Sequence, residues 1–187
     1  MRIFVALDIP EEIRGRIARY AEALRPLAPD ARWARPESLH VTLKFAGQVS
    51  DAQLAEIKQA LSQVSASPFD VTFGKTGFFP SARAPRVFWA GVESTEALPA
   101  LAAAIDAALE KTGIAREDKP YRPHLTLARA GSDSAANRAF QRLPAKLPAE
   151  IPRFGTMTAQ EFFLYQSEPM RGGSRYTKLE RFPLKGN

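Results

Sequence analysis

Cysteine is absent from this 187-residue chain. That excludes a disulfide framework, a thiol nucleophile and any cysteine-based zinc site. Long hydrophobic runs are missing too, against the roughly 20 apolar residues that a membrane helix needs. The apolar stretch "RIFVAL" at 2–7 is ended by Asp8-Ile9-Pro10, and no signal-peptide pattern accompanies it, so a cytoplasmic protein with no membrane partner is expected. No Gly/Ser linker or low-complexity tract divides the chain, which fits one domain over 1–187 made of two pseudo-repeated lobes. No heptad or long apolar stripe argues for assembly, so a monomer is expected. Lys and Arg outnumber Asp and Glu to give a net charge of +6, but they are spread along the chain rather than massed in a tail. The balance favours polyanionic partners, and a solvated surface explains it equally well. Histidine is scarce: His40 and His124 are the only two.

What is present reads as alternating strands and helices. "RIFVALDIP" is a short buried strand, followed by a helix over "PEEIRGRIARYAEALRPL" with Ile13, Ile17 and Leu24 near helical spacing. "ARWARPESLHVTLKFAGQV" is a strand, a turn at Pro36-Glu37 and a second strand. "SDAQLAEIKQALSQV" is a helix with Ser50 as N-cap. Two strands, "FDVTFGKTGFF" and "RVFWAGVE", flank the loop "PSARAP". The order then recurs: a helix closed by Gly113, the strand "RPHLTLARA", a helix over "DSAANRAFQRL" and a Pro-rich linkage. "FFLYQSE" and "SRYTKLERFPL" close the chain as an antiparallel pair around Gly172-Gly173. The fold class is α+β: antiparallel sheets with outer helices, in two lobes that each hold one His-x-Thr strand.

Both histidines head a His-x-Thr-Leu tetrad, in "SLHVTLKFAG" and in "RPHLTLARAG". Alternation along a strand puts His40, Thr42 and Lys44 on one face and Val41, Leu43 and Phe45 on the other. In the second copy His124 and Thr126 share a face above Leu125 and Leu127. A lone surface histidine is ordinarily inert. Duplication of a structural strand preserves Val, Thr and Leu without needing His, so the repeated imidazole asks for a chemical reason. Two imidazoles at one pocket form an acid–base pair near neutral pH. Two Thr hydroxyls suit the non-bridging oxygens of a phosphate. A metal site is the poorer reading, because the tetrads carry too few ligands. The residues alone leave open which imidazole is acid and which is base.

With "RIFVALDIP", "RWARPESLHVTLKFAGQV", "FPSARAPRVFWAGV", "YRPHLTLAR" and "LYQSEPMRGGSRYTKLERF", the chain resembles the two-histidine phosphoesterases over essentially its whole length. Within them it is most similar to the RNA 2′,3′-cyclic phosphodiesterases, also called 2′-5′ RNA ligases, which implies a bilobal pseudo-twofold fold with the two His-x-Thr strands facing a central cleft. The resemblance implies hydrolysis of 2′,3′-cyclic phosphates on RNA ends or nucleotides to 2′-phosphates, with reversible 2′-5′ ligation, and with no metal or other cofactor. It implies His40 as proton donor, His124 as proton acceptor, and Thr42, Thr126 and Arg129 as substrate-binding residues. Alternative readings are a 2′-5′ oligonucleotide phosphodiesterase and a non-catalytic RNA-binding module.

Alternation places Arg129 out of phase with His124, so a bulge or strand end must turn it into the cleft; the competing role is a surface ion pair. Lys44 reads as a solvated rim charge. "GKT" at 74–76 lacks the upstream glycine of a phosphate loop, Phe69 standing there instead. "RGGSR" at 171–175 reads as a hairpin connection. Among Trp33, Phe78, Phe79 and Tyr121, one or two are expected to touch substrate and the rest to be core. Pro123 opens the second motif strand where no ladder N–H is required.

Overall fold

A computed structural model of the chain describes residues 1–132 and 134–186. Fifteen segments follow in order. Strand β1 (Arg2–Leu7), helix α1 (Glu11–Leu24) and a 3-10 turn (Arg25–Leu27) come first. Strand β2 (Arg32–Trp33), a 3-10 turn (Pro36–Ser38), strand β3 (Val41–Gln48) and helix α2 (Asp51–Ser62) come next. The middle holds β4 (Phe69–Phe79), β5 (Val87–Ser94), α3 (Ala97–Glu110) and β6 (His124–Arg129). Helix α4 (Ser134–Lys146) precedes β7 (Arg153–Ala159), β8 (Glu161–Met170) and β9 (Gly173–Pro183). Asp133, the first residue of the helix expected over "DSAANRAFQRL", lies outside the described residues. No helix among the described residues is long and apolar enough to cross a membrane.

The strands make two antiparallel sheets, ordered β3-β1-β8-β9 and β2-β6-β5-β4-β7. Each sheet holds one histidine-motif strand, β3 at an edge and β6 inside. The sheets are not the two halves of the sequence. β2, from the N-terminal part, joins the second sheet beside β6, and the C-terminal β8–β9 hairpin completes the first. One apolar core lies under both sheets, including Val5, Leu7, Val41, Leu43, Phe73, Phe88, Leu125 and Leu127.

Local sequence accounts for most element ends. Helix α1 buries Ile13, Ile17 and Leu24, and Ser50 accepts the Gln53 N–H to cap α2. The segment expected as Pro-rich linkage continues into a strand, β7, that pairs with β4. Its buried Phe154 and Met157 are three residues apart because the register shifts beside Gly155, whose φ is +122°. That shift hides the period-two signature of a strand.

Candidate active site

Both histidines are held by the same local device. His40 lies one residue before β3, and its Nδ1 meets the Ser38 carbonyl oxygen at 2.7 Å. His124 is the first residue of β6, and its Nδ1 meets the Arg122 carbonyl oxygen at 2.7 Å. A carbonyl only accepts, so each Nδ1 carries the proton and donates it. Each Nε2 is thereby left as the atom that takes up or gives a proton. Neither the Thr42 nor the Thr126 hydroxyl is engaged by another group among the described residues.

A second correspondence lies at the third residue after each histidine. In the β1–β3 ladder Ala6 faces Thr42 and Val5 faces Lys44, so Leu43 is bulged out. In the β5–β6 ladder Trp89 faces Thr126 and Phe88 faces Ala128, so Leu127 is bulged out. Each bulge reverses the phase of the residues after it. Leu43 and Lys44 are both buried, and Phe45 emerges 60% exposed on the face of His40 and Thr42. Likewise Leu127 and Ala128 are both buried, and Arg129 emerges exposed on the face of His124 and Thr126. The expectation that Phe45 points to the core is therefore corrected. Arg129 is returned to the histidine's face by the bulge that its placement there required.

Lys44 is corrected as well. It is not a solvated rim charge but 5% exposed, on the face opposite His40. Its ammonium lies 2.6 Å from Asp106 of α3 and donates to the Ala115 carbonyl at 2.8 Å. Burial alone would raise the Asp106 carboxyl, but Lys44, the Glu117 N–H and Arg116 outweigh it and hold it below the usual carboxylate range. Lys44 thus ties the first motif strand to the segment leading into the second. Tyr121, three residues before His124, adds a donor bond from its hydroxyl to the Thr42 carbonyl at 2.9 Å. Just after β2, the Ala34 N–H reaches the Leu127 carbonyl at 2.8 Å.

The surroundings of the two imidazoles differ. His40 packs against Phe4 at 4.7 Å and meets Tyr176 edge-on at 5.1 Å, with Tyr165 behind at 6.2 Å. A cavity of about 640 Å³ opens here, lined by Asp8, Arg14, His40, Tyr165, Tyr176 and Lys178 among others. His124 is not part of its wall. Burial pulls the His40 pKa down from 6.5 to about 4; the Ser38 carbonyl and Asp8 oppose this and Arg14 adds to it. Around His124 the ring of Phe79 stands edge-on at 5.0 Å and itself packs on Trp89. Trp89 lies across Gly77, where an added Cβ would fall 2.2 Å from its ring.

Arg14 was not legible as a site residue. It is almost fully buried, donating to the Pro36 carbonyl at 2.7 Å, the Leu39 carbonyl at 3.0 Å and Asp8 at 2.7 Å. It therefore fixes the turn whose Ser38 carbonyl orients His40. Its one sequence signal is a charge between Ile13 and Ile17 on the apolar side of α1. Asp8 also pairs with Lys178. Of the aromatics singled out, Trp33 and Phe78 pack on Phe88 in the core, Phe79 contacts His124, and Tyr121 ties the two motifs. The "GKT" segment lies within β4, and Gly172-Gly173 joins β8 to β9 as a hairpin.

Residues 9–168 match the 2′-5′ RNA ligase superfamily. The chain is 35% identical to the RNA 2′,3′-cyclic phosphodiesterase of Archaeoglobus fulgidus, over 97% of this chain and 99% of that one. It is 30% identical to the Escherichia coli K12 protein of the same description, over 98% and 96%. Its structure is similar to that of E. coli LigT complexed with 3′-AMP, with a TM-score of 0.80 and 29% identity over 98% and 97% of the chains. A Thermus thermophilus structure matches with a TM-score of 0.80 and 31% identity over 100% and 99%. The chain belongs to the 2′-5′ RNA ligase superfamily, the two-histidine phosphoesterases.

Proposed function

We propose that the protein is an RNA 2′,3′-cyclic phosphodiesterase that opens cyclic phosphates on RNA or nucleotide ends to 2′-phosphates. The observation that carries this reading is the matched pair of imidazoles, each with Nδ1–H tied to the carbonyl two residues earlier and Nε2 unengaged among the described residues. In the scheme, the His124 Nε2 takes a proton from water as the water oxygen attacks phosphorus. The phosphorus–O3′ bond breaks, and the His40 Nε2 gives its proton to O3′, leaving a 2′-phosphate and a 3′-hydroxyl. Thr42, Thr126 and Arg129 hold the non-bridging oxygens as charge builds on them. Residues 1–187 act as one catalytic domain, monomeric and cytoplasmic, and 2′-5′ ligation is the reverse of the same chemistry.

His40 must be charged to act as donor, yet burial keeps it neutral at neutral pH in the free protein. The phosphate anion brought beside its Nε2 favours the imidazolium and restores the proton. The same lowered pKa favours a second assignment, with His40 as base and His124 as acid. A diester with an aryl leaving group separates the two, because such a group departs without a proton. The alanine variant of the acid recovers activity on that substrate, and the variant of the base does not.

The primary test is incubation with 2′,3′-cyclic nucleotides in excess EDTA and identification of the phosphate isomer. The 2′-phosphate is expected. No turnover sinks the hydrolase reading, activity lost with EDTA sinks the metal-free scheme, and a 3′-phosphate reverses the orientation of the leaving oxygen.

A further inference from the structure

Beyond the two tetrads, the second sheet holds two cations side by side. β2 pairs with β6 so that Arg32 stands opposite Arg129. The neighbouring pair, Trp33 opposite Ala128, fixes which way they face. Ala128 is fully buried, and Trp33 packs edge-on against the core ring of Phe88 at 6.2 Å. Alternation then puts Arg32 on the other face, with Arg129, Thr126 and His124. Both arginines are exposed. Arg32 gives one N–H to the Ala130 carbonyl at 3.2 Å, and among the described residues no carboxylate pairs with either guanidinium.

Like charges directly opposite on neighbouring strands repel. Phosphates bound to the two guanidiniums remove that repulsion, and the planar guanidinium matches phosphate oxygens in bidentate fashion. Position separates Arg32 from the reacting phosphate, whose oxygens Arg129 holds in the proposed scheme. With Leu127 bulged out, four strand steps lead from His124 to Arg129, about 13 Å along the strand. Arg129 stands nearer the histidine on β6 itself, and Arg32 lies one strand further out, at the sheet edge.

We propose that Arg32, beside Arg129, binds the phosphodiester adjoining the cyclic end, so that an RNA strand is preferred over a mononucleotide. This rests on the reading that the cyclic phosphate is opened at the two histidines. The strand enters along the β2 edge, with its terminal phosphate at the tetrads and its next phosphate on Arg32.

The test compares a 2′,3′-cyclic mononucleotide with a short oligoribonucleotide carrying the same cyclic end, using the wild type, Arg32→Gln and Arg32→Lys. In Arg32→Gln the oligonucleotide-to-mononucleotide ratio of kcat/KM is expected to fall about tenfold. The log–log salt dependence on the oligonucleotide becomes shallower by about 0.7, the increment for one phosphate contact of a single strand. Arg32→Lys keeps the wild-type salt slope. An unchanged ratio and slope in Arg32→Gln overturns the proposal. If the wild type turns over neither substrate, the hydrolase reading falls, and binding of the fluorescently labelled oligonucleotide decides the arginine pair by itself. Roughly tenfold weaker binding by Arg32→Gln upholds the pair, and equal binding overturns it.

Discussion

At the first motif the imidazole is enclosed by Phe4, Tyr165 and Tyr176, and its turn is braced by the buried Arg14. At the second, Phe79 stands edge-on, and the hydrogen bond from His124 to Arg122 is open to solvent. The residue two places beyond each bulge-flanking Thr-Leu pair differs as well, Phe45 in one copy and Arg129 in the other. The two halves share a backbone mechanism for aiming an imidazole and differ in the medium around it. Symmetry places the groups, and burial at the first motif lowers the pKa of His40.

The largest effect that can break this comparison is removal of either imidazole. His40→Ala and His124→Ala are each expected to lower kcat about 10³-fold, within the usual range for general acid or base groups, with unchanged circular dichroism. Near-normal turnover by either variant would end the paired scheme.

Next in size is the buried charge that only the first half carries. Lys44→Met leaves Asp106 without its main partner, and about 3 kcal/mol of unfolding free energy should be lost in urea titration. Ala128, in the corresponding place of the second half, has no charge to remove. Stability within about 0.5 kcal/mol of wild type would show that Arg116 and the Glu117 N–H suffice for Asp106.

Burial of the first imidazole should also show in its titration. The His40 ring is expected to change charge near pH 4 when followed by NMR, and inorganic phosphate should move its midpoint upward. Because its folded pKa lies below the unfolded 6.5, the folded protein binds fewer protons between those values. Its contribution to stability is therefore whole above about pH 6.5 and is lost as pH falls toward 4. Asp8 and Asp106, held below the ordinary carboxylate value of 3.8, give way only in more acid solution. A His40 midpoint at 6.5 without ligand would show that its enclosure does not disfavour the charged ring.

The smallest effect concerns the tie between the halves. Tyr121→Phe deletes the donor to the Thr42 carbonyl and should cost about 1 kcal/mol. A loss of kcat out of proportion to that cost would mean that the bond also sets the placement of Thr42.

Much of this was legible along the chain because it depends on neighbours in sequence. The His-x-Thr repeat, the Ser50 cap, the Gly172-Gly173 hairpin and the helical spacing of Ile13, Ile17 and Leu24 are local patterns. Strand alternation correctly buried Val41, Leu43, Leu125 and Leu127. It failed one residue later in both copies, since a bulge is a property of two paired strands and leaves no mark on one.

The sequence by itself determined the chemistry on offer: two imidazoles, two hydroxyls and an apolar strand beneath each pair. Local backbone geometry then fixed each Nδ1–H on the carbonyl two residues before it. Only the tertiary structure decided that Lys44 is buried against Asp106, that Arg129 returns to the histidine's face with Arg32 beside it, and that β2 and β8–β9 change sheets. The physical reason is that phase after a bulge, burial of a charge and the pKa of His40 are set by partners distant in the chain. Those partners meet only when the sheets assemble.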